Sequence, residues 1–93
     1  KTLSMIQEIR KVQLETETFV KNEMADIYSR ELIELLFEQP YCKISFLVDR
    51  HIAKKQTASK YLNRLVAAGL LDKTKQGREY YFINKNLWEI LTR

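Results

Sequence analysis

Ninety-three residues, 45% of them apolar, make one small domain with a core but little room for a deep catalytic cleft, because a chain this short buries only roughly 60–65% of its unfolded surface. No apolar run nears the roughly 20 residues of a membrane span, the polar, charged start is not a signal peptide, and a first residue Lys1 in place of Met points to a fragment of a longer protein. The net charge of +4 implies an acidic partner only where positive charge is gathered in one place.

Residues 1–27 are expected to form one long helix. Met5, Ile9, Val12, Thr16, Phe19, Val20, Met24 and Ile27 recur at three- and four-residue spacing, a single stripe on the helical period. No Gly or Pro interrupts. A stripe this long exceeds what a small domain can cover, so part of it is expected to pack on a further domain or a second copy. The polar face has mixed charge, which argues against a membrane-surface role. Ser29 offers an N-cap for a second helix over about 30–38, with Leu32, Ile33, Leu36 and Phe37 facing inward. Gln39-Pro40 ends it. Tyr41 to Ile44 reads as extended. Ser45 is expected to cap a third helix over about 45–51, with Phe46, Leu47 and Val48 in the core.

A turn at His51 to Lys54 leads into a helix over about 55–68. Ala58, Tyr61, Leu62 and Leu65 share one face, and Gln56, Ser59, Lys60 and Asn63 the opposite one. Gly69 is the expected left-handed stop. Residues 71–74 and 79–83 read as two strands around a turn at Lys75-Gln76-Gly77. Tyr80 and Phe82 point one way, Tyr81 and Ile83 the other. Tyr61, Tyr80, Tyr81 and Phe82 are read as core rather than as stacking platforms. Asn84 is expected to cap a final helix holding Leu87, Trp88 and Leu91.

The fold class is therefore mostly α with a small β-hairpin (α+β): a winged helix-turn-helix preceded by a long N-terminal helix. We divide the chain into a linker or dimerisation helix, 1–27, and a winged-helix domain, 28–93. The charge follows this division. Residues 1–49 carry six Lys/Arg and nine Asp/Glu, whereas 50–78 carry eight Lys/Arg and the single acid Asp72. That segment holds the third helix of the winged motif and its hairpin. A helix fits the major groove of B-form DNA, and a hairpin wing can reach flanking phosphates. The expected DNA-contacting residues are Lys54, Lys55, Gln56, Thr57, Ser59, Lys60, Asn63 and Arg64 on the helix, and Lys73, Lys75, Gln76 and Arg78 on the wing. Lysines suit phosphate oxygens, and Gln56 and Asn63 have the amide geometry that reads adenine. The rival reading is a solvated basic surface on an interaction or dimerisation module.

Catalysis and metal binding find no footing. His51 is the sole histidine and sits in a turn, and Cys42 is the sole cysteine. One of each cannot make a structural zinc site. Gly69 and Gly77 are both explained by turns, which leaves no phosphate-cradling loop. Cys42 reads as a small, partly buried apolar residue, and a lone cysteine suits a reducing, cytoplasmic compartment.

Several blocks, in order, carry a more specific likeness: Tyr28-Ser29-Arg30-Glu31-Leu32-Ile33-Glu34-Leu35-Leu36-Phe37-Glu38-Gln39-Pro40-Tyr41-Cys42-Lys43, then Ile52-Ala53-Lys54-Lys55-Gln56-Thr57-Ala58-Ser59, then Gly77-Arg78-Glu79 and Phe82-Ile83-Asn84. This segment resembles the one that follows the catalytic domain in many bacterial Fic (filamentation induced by cyclic AMP) proteins. The resemblance implies a C-terminal winged-helix accessory domain, with residues 1–27 as the helix joining it to the catalytic core. It implies a parent that transfers AMP from ATP to protein hydroxyls. The signature of that activity, a His-Pro-Phe block and a Gly-Asn-Gly-Arg loop, does not occur in this sequence. No catalytic residue, cofactor or metal is therefore expected here. The expected partners are duplex DNA, and the parent's own Fic core or a second copy through helix 1–27. His51 stands where such relatives often carry Gly.

Overall fold

The computed structural model describes residues 2–92, with side chains from residue 4 onward. Lys1 and Arg93, which the expected ranges include, lie outside the described residues. The elements run α1 (Thr2–Glu23), α2 (Arg30–Glu38), β1 (Tyr41–Cys42), α3 (Ile44–Asp49), α4 (Lys55–Ala67), β2 (Leu71–Gln76), β3 (Glu79–Asn84) and α5 (Lys85–Leu91). The three strands form one antiparallel sheet in the order β1-β3-β2. This is the expected α+β class in a winged-helix-like layout. Within it α3 packs on α4, α4 leans on β2, and α1 lies across α2 and α5.

The apolar stripe of α1 is covered only toward its C-terminal end. Val20 is fully buried and Thr16 nearly so, while Met5 and Ile6 are exposed. The helix stops at Glu23, short of the expected 27. Met24 still donates to the Val20 carbonyl, and Ile27 and Tyr28 both turn back onto the Met24 carbonyl. Such a turn places Met24 and Ile27 in the core without further helix. It also lets the chain reach the extended conformation of Ser29, whose hydroxyl accepts from the Leu32 N–H as the cap of α2. The Tyr28 hydroxyl donates to Glu17 at 2.7 Å and holds this turn against α1.

Helix α3 begins one residue earlier than expected. Lys43, extended after β1, is its N-cap and makes no side-chain cap bond; Ser45 lies inside the first turn. Ile44, partly buried, packs against the core. Of the three expected core residues on α3, Leu47 is fully buried and Phe46 partly so. Val48 is 38% exposed, because a six-residue helix seats only one face.

Helix α4 matches its expected span and ends in a Schellman motif: Leu70 N–H donates to the Leu65 carbonyl and Gly69 N–H to that of Val66. Gly69 takes φ 83°, which a Cβ would strain. The hairpin is longer than expected. β2 continues through Lys75 and Gln76, which pair with Tyr80 and Glu79, leaving a two-residue turn, Gly77-Arg78. Only Gly77 has a positive φ, 63°, as a II′-type turn requires of its first central residue. Phe82 is fully buried, a burial that stabilises the fold by roughly 1.5–3 kcal/mol.

Asn84 joins three elements. Its Oδ1 accepts from Leu87 N–H as the cap of α5, its Nδ2 donates to the Leu36 carbonyl at 3.0 Å, and its backbone N–H donates to the Pro40 carbonyl. The Leu36 carbonyl is one of the otherwise unpaired acceptors at the end of α2. In α5 the inward residues are Leu87 and Ile90; Trp88 and Leu91, also on this helix as expected, are exposed. The flank of α5 that bears Ile90 is the one turned to α1.

Candidate nucleic-acid interface

Burial of Ala58, Leu62 and Leu65 fixes which side of α4 faces out. Lys55, Ser59 and Asn63, spaced four apart, form the flank beside the hairpin. Gln56 and Lys60 lie on the outermost strip, and Thr57 and Arg64 on the far flank. Lys54 is the N-cap residue and its side chain makes no capping bond, so the N–H groups of the first turn remain open to an outside acceptor.

The hairpin turns one row of side chains toward this helix. Leu71, Lys73 and Lys75 pair with Asn84, Phe82 and Tyr80 and share their face. Leu71, Phe82 and Asn84 are buried at the base of that row, and Lys73, Lys75 and Tyr80 extend it into solvent. Lys73 Nζ lies 4.4 Å from the centre of the Tyr80 ring, and Lys75 Nζ lies 5.7 Å from it. Lys73 Nζ also donates to Asn63 Oδ1 at 2.9 Å. A side chain of the wing is thus bonded directly to the exposed face of α4. Arg78, at the tip, shares a cleft of about 460 Å³ with Lys55, Tyr80, Lys43, Val48 and Asp49.

The structure therefore gathers Lys55, Ser59, Asn63, Lys73, Lys75 and Arg78 around the junction of α4 and the wing, with Lys54, Gln56 and Lys60 on the adjoining surface of the helix. Three of the expected residues stand apart. Gln76 projects from the opposite face of the hairpin, with Asp72 and Thr74. Arg64 is ion-paired with Asp26 on the far flank, and its guanidinium holds that carboxyl below the usual range. Thr57 shares that flank.

Two contributors were not read from the sequence. Tyr80, assigned to the core, is 42% exposed, whereas Phe82 is buried and Tyr61 and Tyr81 are half-buried. The cross-strand register Lys75–Tyr80 was the signal, and it becomes legible only once the turn is shortened to two residues. Lys43 lines the cleft and pairs with Glu79 at 2.9 Å, a bond that raises its pKa and keeps it charged. Cys42 is buried, more fully than expected, and burial pushes its thiol up to about 12, so it remains a thiol rather than a reactive thiolate. Among the described residues no cluster of His, Cys, Asp and Glu could hold a metal ion, and no helix is long and apolar enough to cross a membrane.

Fold and site together define a winged-helix-like domain with a cationic face shared by one helix and its neighbouring hairpin. Residues 12–87 match the family described as the C-terminal domain of SoFic-like protein adenylyltransferases, and the chain belongs to that family. It corresponds to the C-terminal part of a Fic-type adenylyltransferase and not to the catalytic core.

Proposed function

We propose that this is a winged-helix domain that binds duplex DNA through α4 and the β2–β3 wing, as an accessory domain with no adenylyltransferase activity of its own. The observation that carries the reading is the Lys73–Asn63 hydrogen bond. It joins the basic hairpin to the adjoining flank of the helix, so that the cations of both face one partner. Lys55 and Arg78 support it by lining one cleft. A groove-sized helix with lysines on its outer strip and a cationic wing beside it fits a major groove and its flanking phosphates. The compartment consistent with this reading is the cytoplasm of a bacterium.

The test is fluorescence anisotropy of a labelled duplex over a range of salt concentrations. Each phosphate neutralised contributes about −0.9 to the log–log slope, so four or five engaged cations give a slope of roughly −4. Lys55→Glu combined with Lys60→Glu should abolish binding while the far-UV circular dichroism stays unchanged, since both side chains are exposed. Absence of binding by the wild type at low salt would end this reading.

A second reading rests on a different observation. Met5, at the N-terminal end of the apolar stripe, and its neighbour Ile6 are exposed, whereas the C-terminal end of the stripe is buried. That surface suits the catalytic core of the parent or a second copy, and would make the domain an interaction module. Sedimentation velocity over a concentration series is the measurement for it.

A further inference from the structure

We infer that Asn63 is a positioning residue of the proposed DNA face: it holds the wing's Lys73 in place against α4 and does not itself read a base. This rests on the nucleic-acid reading above and deepens it. An amide that reads adenine must accept from N6 and donate to N7 at the same time. In this protein both ends of the Asn63 amide are already engaged. Its Nδ2 donates to the Ser59 carbonyl at 2.8 Å and approaches Ser59 Oγ at 3.3 Å. Its Oδ1 accepts from Lys73 Nζ at 2.9 Å. The two partners have opposite polarity, so they agree on which end is oxygen; a flipped amide would set its NH₂ against an ammonium and its oxygen against a carbonyl.

Lys73 is fixed from the other side as well. Its Nζ lies over Tyr80 at 4.4 Å and near Phe82 at 5.8 Å. Phe82 is fully buried, so the strand beneath Lys73 is anchored in the core. A free lysine loses much rotamer freedom when it docks on a phosphate. Lys73 has lost part of that freedom already in the unbound protein. An ammonium has three donors, and the one directed to Asn63 leaves two for phosphate oxygens. Base reading then falls to Gln56, which is exposed in the first turn of α4.

The test is a double-mutant cycle on DNA affinity with Asn63→Ala, Lys73→Ala and the pair, using one A·T-rich and one G·C-rich short duplex. Asn63→Ala should weaken binding to both duplexes by the same factor, roughly three- to tenfold, and the pair should be no weaker than Lys73→Ala within about twofold. Factors that multiply, or a loss confined to the A·T-rich duplex, would overturn the inference. A readout without DNA separates it from the reading it rests on. NMR relaxation of the Lys73 side chain in the free protein should show lower order in Asn63→Ala, and retained order in Asn63→Asp, which keeps an acceptor. Unchanged Lys73 order in Asn63→Ala overturns the positioning role even if DNA binds. Failure of the wild type to bind either duplex instead overturns the nucleic-acid reading, and with it this use of the Asn63–Lys73 contact.

Discussion

His51 adopts φ 57°, the only non-glycine residue with positive φ among those described. It is the αL residue of a second Schellman motif. Ile52 N–H donates to the Leu47 carbonyl at 2.9 Å and His51 N–H to that of Val48 at 3.0 Å, closing α3 as Gly69 closes α4. A Cβ in this conformation costs roughly 1–2 kcal/mol. Glycine removes that strain and gives part of it back in unfolded-state entropy. His51→Gly should therefore raise stability by roughly 0.5–1 kcal/mol, a rise of a few degrees in Tm. Urea unfolding measures it, and a lowered midpoint would contradict this account. The residue was legible as a turn. Ser29, Gly69 and Asn84 were legible for the same reason: a cap acts within four residues of itself. The Asn84–Leu36 bond spans 48 residues and left no local trace. Ser45 misled because Lys43, held extended after β1, sets the start of α3 in place of the nearest hydroxyl.

At the scale of elements, every expected helix and strand exists, and the errors are in their ends and faces. The hairpin ran on to Gln76 because pairing with Glu79 and Tyr80 rewards two more residues than β-propensity alone would grant to Lys75 and Gln76. Trp88 and Leu91 are apolar yet exposed, and α5 buries Ile90, on the flank turned to α1, instead. Helix α1 itself shows how a periodic stripe overstates burial. Met5, which opens the stripe, is exposed, and so is its neighbour Ile6 at 43%, so little core energy depends on Ile6. Ile6→Lys should leave the unfolding midpoint within about 0.5 kcal/mol of wild type, as surface substitutions do. If the interaction reading holds, the same change should remove concentration-dependent sedimentation, or binding to the parent's catalytic domain. A wild-type chain that is monomeric at every concentration and has no affinity for that domain would sink it.

Over the whole molecule, charge is distributed by sequence half, yet folding does not keep the halves apart. Asp26, from the acidic half, reaches Arg64 on the far flank of α4. Lys43 and Glu79 neutralise each other beside the wing. The eight basic residues of 50–78 are therefore not eight free cations. Arg50 is paired with Glu38 and Arg64 with Asp26, which leaves the lysines of α4 and the wing, with Arg78, to meet a polyanion. This pairing makes the proposed DNA face adjustable from outside it. Asp26→Asn removes one negative charge at the edge of α4 and releases the Arg64 guanidinium. The exposed pair contributes little to stability, so the fold should persist. Affinity for a duplex at low salt should rise, and the log–log salt slope should steepen by up to about 0.9, the share of one further phosphate. Arg64→Gln in the same background should return the slope to its wild-type value. A slope and affinity that do not respond to Asp26→Asn would mean that the far flank of α4 lies outside the contact, confining the interface to the strip between Lys55, Lys60 and the wing.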